Sequence, residues 1–81
     1  MKTNIASERK KLGLSQEQFG KLIGVSRDVV SNWETGETVP SVKHSISMAD
    51  TFGCSLEYLF ALTEDRIFSA NEKGTKFTLT S

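Results

Sequence analysis

The stretch Gln16-Glu-Gln-Phe-Gly20-Lys-Leu-Ile-Gly24-Val-Ser26-Arg-Asp-Val-Val-Ser-Asn-Trp-Glu-Thr-Gly36 decides the fold of this 81-residue chain. Phe19, Leu22 and Ile23 recur at helical spacing, and Ser15 with Gln18 forms a capping-box pattern at the start. Gly24 ends that helix. Ser26 caps the next one, Val29, Val30 and Trp33 give it an apolar face, and Gly36 closes it. Two helices this short, joined by about three residues, must cross steeply, and only a small side chain fits where they approach. Gly20 occupies that crossing. Phe19, Ile23, Val25, Val30 and Trp33 fill the angle, so the first turn and outer face of the second helix are left free.

Working outward, the same grammar repeats. Thr3 or Asn4 caps a helix that carries Ile5, Ala6, Arg9 and Leu12 on one face and stops at Gly13. After the loop Glu37–Pro40, Ser41 caps a fourth helix with Val42, Ile46, Ala49 and Phe52 directed inward, and Gly53 stops it. Ser55 caps a fifth, with Leu56, Leu59 and Phe60 apolar, ending near Leu62. The expected fold is therefore all-α, a compact bundle of five short helices over residues 1–62. Residues 63–81 form an extension of different character. Arg66–Ser69 and Thr75–Thr80 are β-prone around the turn Asn71–Gly74, which reads either as a C-terminal β-hairpin used in dimerisation or as an unpaired tail.

Composition narrows the function classes. Ten Lys and Arg balance ten Asp and Glu, so net charge gives no sign of a polyanion partner. Its distribution is uneven, however. Residues 1–44 carry seven bases against five acids, and residues 45–81 carry three against five. One cysteine, Cys54, excludes an intrachain disulfide, and no run approaches membrane-spanning length. The chain reads as cytoplasmic. No paired carboxylates, nucleophile–base set, phosphate-cradling glycine loop or metal cluster is present, so neither enzyme, cofactor nor metal site is expected. Trp33 reads as core, and Cys54 as a small buried hydrophobe.

The chain resembles the phage repressor and Cro-type (xenobiotic-response-element-like) helix-turn-helix family. The resemblance runs from Ile5 to Phe60. It is carried by Arg9-Lys-Lys-Leu-Gly-Leu-Ser-Gln16, the turn Gly24-Val-Ser26, Val30-Ser-Asn-Trp-Glu-Thr-Gly36, Pro40-Ser41 and Gly53-Cys-Ser-Leu-Glu-Tyr-Leu-Phe60. It implies a lambda-repressor-like bundle whose third helix enters the DNA major groove. The family's base readers then fall on Ser26, Arg27, Asp28 and Asn32, with Ser31 on the same outward face. Arg27 has the donor fork for guanine O6/N7, Asn32 matches the N6/N7 edge of adenine, and Asp28 accepts from cytosine N4. Phosphate grip is implied for Gln16, for the chain around Thr35 and Thr38, and for Lys43. Lys21 is a further candidate, as are Lys10 and Lys11. Arg9 and Glu34 match positions that pair in the family. Two departures stand out: Ser45 replaces an apolar residue, and Gly20 replaces alanine.

The resemblance implies a transcriptional regulator, a repressor that binds double-stranded DNA as a homodimer on a pseudo-palindromic operator. Two alternatives stay open: an antitoxin that autoregulates and binds a toxin, and a helix-turn-helix module that binds only proteins, a toxin or antirepressor being the kind of partner.

Overall fold

A computed structural model of the chain describes residues 2–67. Five helices lie among them: α1 Ile5–Lys11, α2 Gln16–Ile23, α3 Arg27–Thr35, α4 Val42–Phe52 and α5 Leu56–Leu59. Four start on a serine and three of those are closed by a left-handed glycine, because each device satisfies backbone groups that a short helix leaves orphaned. At α2 the Ser15 hydroxyl accepts from the Gln18 N–H while the Gln18 side chain accepts from the Ser15 N–H. Ser26, Ser41 and Ser55 cap α3, α4 and α5 through the serine hydroxyl alone, without the reciprocal bond. Helix α1 starts differently. The Thr3 hydroxyl accepts from the Ile5 N–H at 3.3 Å, while the Asn4 amide donates to the Tyr58 carbonyl at 2.6 Å. Asn4 therefore ties the first helix to the fifth rather than capping it.

Ile5, Phe19, Val30, Trp33, Met48, Phe52 and Leu59 form one core to which every helix contributes. Phe19 and Phe52 stack at its centre with ring centroids 5.1 Å apart. Burial of this kind supplies most of the stability of helices too short to stand alone.

Three expectations about helix faces are corrected. Helix α4 packs through Ser45, Met48, Ala49 and Phe52, whereas Val42 and Ile46 are exposed. The inward stripe keeps the expected Ala49 and Phe52 but takes Ser45 and Met48 in place of Val42 and Ile46, and Ser45 fits it because its hydroxyl donates back to the Ser41 carbonyl at 2.8 Å. Leu12 and Leu22 are also exposed, since the crossing of α1–α3 is filled by Phe19, Val30 and Trp33 with Leu14 and Ile23 beside them. Leu56 lies at the surface.

Past α5 the chain folds back. The Arg66 carbonyl accepts from the Ser55 N–H at 3.0 Å, and the Arg66 guanidinium clasps Glu8 of α1, with Nη2 2.6 Å from Oε1. The same guanidinium donates to the Phe52 and Gly53 carbonyls at the end of α4. Arg66 thus joins α1, α4 and the chain's continuation. The hairpin expected over residues 66–80 lies, beyond Ile67, outside the described residues.

Candidate nucleic-acid interface

The steep meeting of α2 and α3 rests on Gly20. A Cβ there would lie 2.6 Å from the Val25 carbonyl oxygen and 3.3 Å from the Ser26 carbonyl, so backbone meets backbone at van der Waals limit. The Gly20 carbonyl in turn accepts from both the Gly24 and Val25 N–H groups, at 2.7 and 2.8 Å. Gly24 supplies the left-handed residue at the corner, φ 92°. The second helix is thereby aimed outward from the first at its N-terminal end.

That end carries the polar residues. Ser26 is the N-cap of α3, its hydroxyl 3.4 Å from the Val29 N–H, and is exposed. Arg27 and Asp28 follow in the first turn with side chains 65% and 86% exposed, their charged groups 3.7 Å apart. An ion pair at that exposure is worth little and yields readily to another partner. Ser31 and Asn32 are half-buried one turn on, and their side chains have no hydrogen-bond partner among the described residues. Val29 packs partly against the core. Trp33 is buried and stands 5.4 Å, centroid to centroid, from the His44 ring, which holds α4 against the back of α3.

The candidate phosphate-contacting residues surround this helix. Lys21 lies in the last turn of α2 and Lys43 in the first turn of α4, both exposed. Thr35 and Thr38 flank the Gly36 corner and are exposed, the Thr35 hydroxyl donating to the Asn32 carbonyl at 3.2 Å. The Glu37 and Thr38 N–H groups converge on the same carbonyl, which fixes the path of the loop.

Behind these residues lies a network that local sequence patterns do not reveal in full. Arg9 and Glu34 pair in bidentate fashion, with Nε 2.7 Å from Oε2 and Nη2 3.2 Å from Oε1. Arg9 also donates to the Leu14 carbonyl at 2.7 Å. The third member is Gln16, whose Nε2 donates to Glu34 Oε1 at 2.9 Å. The first residue of α2 is therefore oriented by the last turn of α3. Nothing in the spacing of Gln16 and Glu34 advertises this. It follows only once the two helices cross.

Other chemistry is poorly served. No group of His, Cys, Asp and Glu able to hold a metal ion occurs among the described residues. Cys54 is half-buried beside the core, and burial pushes its thiol above the usual range, away from nucleophile character. No described helix is long and apolar enough to cross a membrane.

The profile of the helix-turn-helix family matches residues 5–59. Over 59 residues the chain is 37% identical to the repressor protein C2 of Salmonella phage P22, covering 73% of this chain but 27% of that protein. The chain thus spans about a quarter of that repressor's length. It is 34% identical over 65 residues to YgzD, an uncharacterized HTH-type transcriptional regulator of Bacillus subtilis, covering 80% of this chain and 98% of YgzD. Among solved structures, the P22 c2 repressor in complex with a synthetic operator superposes with a TM-score of 0.67 at 36% identity. The match covers 72% of this chain and 88% of that one.

Proposed function

The chain belongs to the helix-turn-helix family, and on that premise we propose that it is a DNA-binding transcription regulator related to the phage repressors. It reads double-stranded DNA with α3 in the major groove. The observation that carries this reading is the outward run of α3. Arg27, Asp28, Ser31 and Asn32 offer donors and acceptors that the fold does not consume beyond the loose Arg27–Asp28 pair, on a helix locked in direction by Gly20.

Each side chain has a role in the proposal. Arg27 takes guanine through its donor fork, Asn32 brackets adenine, and Asp28 accepts from cytosine. Ser26 and Ser31 serve as shorter hydrogen-bonding contacts. Gln16, Lys21, Thr35, Thr38 and Lys43 grip phosphates and set the register, with Gln16 steadied by the Arg9–Glu34 pair. The protein works as a repressor in the cytoplasm and without catalysis: occupancy of a promoter is enough to block polymerase. One module reads few base pairs, so two copies occupy a pseudo-palindromic site with half-sites about 10–10.5 bp apart.

Selection of bound fragments from random duplexes, followed by sequencing, tests this directly. The expected result is an enriched two-half-site motif. Arg27→Ala is expected to weaken binding to that motif by about 1–3 kcal/mol and to relax one position of each half-site. Equal losses on the motif and on random DNA would remove Arg27 from the readout.

A further inference from the structure

One side chain on the outward face of α3 carries the wrong charge for a polyanion. Asp28 is 86% exposed, and Arg27, its ion-pair partner, stands 3.7 Å away, beyond hydrogen-bond reach. Asn32 lies four residues on, one helical turn further along the same face, while Val29, Val30 and Trp33 are turned to the core. Whatever α3 meets through Asn32 it therefore also meets through Asp28, whose short side chain cannot swing round the helix.

Against DNA such a carboxylate is repelled by the phosphates unless a donor meets it. Two base edges in the major groove offer one, cytosine N4 and adenine N6, whereas guanine and thymine present acceptors. Adenine sets its N7 lone pair beside N6, so the second carboxylate oxygen is repelled there. Cytosine sets a C–H beside N4 and repels neither oxygen. Its pairing partner, guanine, is the base assigned to Arg27.

The cytosine N4 amino group has two hydrogens. One pairs with guanine O6, and the other points into the groove, where the carboxylate needs it. We infer that Asp28 makes this protein sensitive to cytosine N4-methylation: it accepts a site whose N4–H faces the groove and rejects one in which a methyl replaces that hydrogen. The inference rests on the proposed DNA reading and adds a regulation to it, since occupancy then follows the methylation state of the site. The methyl leaves the base pair in place, removes the donor, and sets a dehydrated carboxylate against an apolar group. A methyl at C5 leaves the N4 hydrogen untouched, so two modifications of one base have unequal effects. An acid in the first turn also suits the positive end of the helix. That role alone would show in stability and not in base preference.

Duplexes carrying the motif enriched by selection test this, with N4-methylcytosine or 5-methylcytosine placed at each cytosine of both half-sites in turn. Affinity of the full chain is read by fluorescence anisotropy at fixed salt. At one cytosine per half-site the N4 methyl is expected to weaken binding at least about 10-fold, the loss of a charge-assisted hydrogen bond, and by a distinctly larger factor than the C5 methyl. Asp28→Ala, checked for folding by circular dichroism, should bind unmodified and N4-methylated duplexes alike. It should also bind random duplex more tightly than wild type, having shed a charge that the phosphates repel. An enriched motif without a selected cytosine, equal affinity with and without the N4 methyl, or equal losses from the two methyls overturns the inference and leaves the DNA reading standing. So does an N4-methyl effect of the same size in wild type and Asp28→Ala. Failure of the wild type to enrich any duplex sinks both readings.

Discussion

At residue 20 two opposing effects have comparable size. Alanine would gain about 1 kcal/mol of helix propensity over glycine inside α2. Its Cβ would also be driven to 2.6 Å from the Val25 carbonyl, a backbone atom held by the turn and unable to rotate away. Overpacking of that kind costs about 1–3 kcal/mol, and the flexible alternative of moving a side-chain tip is not available. The clash should win. Gly20→Ala is expected to lower stability by up to about 2 kcal/mol in urea titration and to weaken DNA binding further by opening the α2–α3 angle. A variant more stable than wild type would mean that the helices part at no cost. Gly24 is a contrasting case: its neighbourhood is open, and only its φ of 92° resists a side chain.

Between elements, the Arg9–Glu34–Gln16 network links α1, α2 and α3 in one set of charge-assisted bonds. The Arg9 and Glu34 side chains are only 10% and 7% exposed, so removing one charge strands the other away from water. Glu34→Gln should therefore cost about 2–4 kcal/mol in chemical denaturation, with Arg9→Met combined with Glu34→Leu recovering part of it. If the single substitution proves neutral, the pair does not brace the helices. The contrast with the sequence is instructive at this scale. Helix starts and stops were legible because serine caps and glycine exits act within four residues. The inward face of α4 was legible only at Ala49 and Phe52, because Val42 and Ile46 extend that stripe to one side and Ser45 and Met48 to the other. Burial of a serine satisfied by its own helix decides between them. The outward face of α3 could be read through the family resemblance. The part Gln16 takes in bracing could not, since its partner lies eighteen residues away.

At the scale of the whole molecule, the longest connection among the described residues is the one between Glu8 and Arg66, fifty-eight residues apart. Local pattern assigned Arg66 to a strand, and no short-range signal marks a buried Glu8 in α1 as needing a cation. Glu8 is 1% exposed. Hydrogen bonds from Arg66 hold its carboxyl down at about 2 against an ordinary 4.5, with Lys11 helping and burial opposing. The folded state therefore binds a proton at Glu8 less readily than the unfolded chain does. The stabilisation from this group is complete above about pH 4.5 and is lost as the pH falls from there toward 2. Arg66 is 38% exposed, so solvent screening reduces the effect to about 1–3 kcal/mol at neutral pH. Glu8→Gln should lower stability at pH 7 by that amount and flatten the decline between pH 4.5 and 2, as followed by thermal melts at fixed ionic strength. Above pH 5 the wild-type carboxylate stays ionised, so this group adds no pH dependence to DNA binding there. Parallel acid limbs in wild type and variant would show that Arg66 does not clasp Glu8 in solution, and the chain beyond α5 would then lose its anchor to α1.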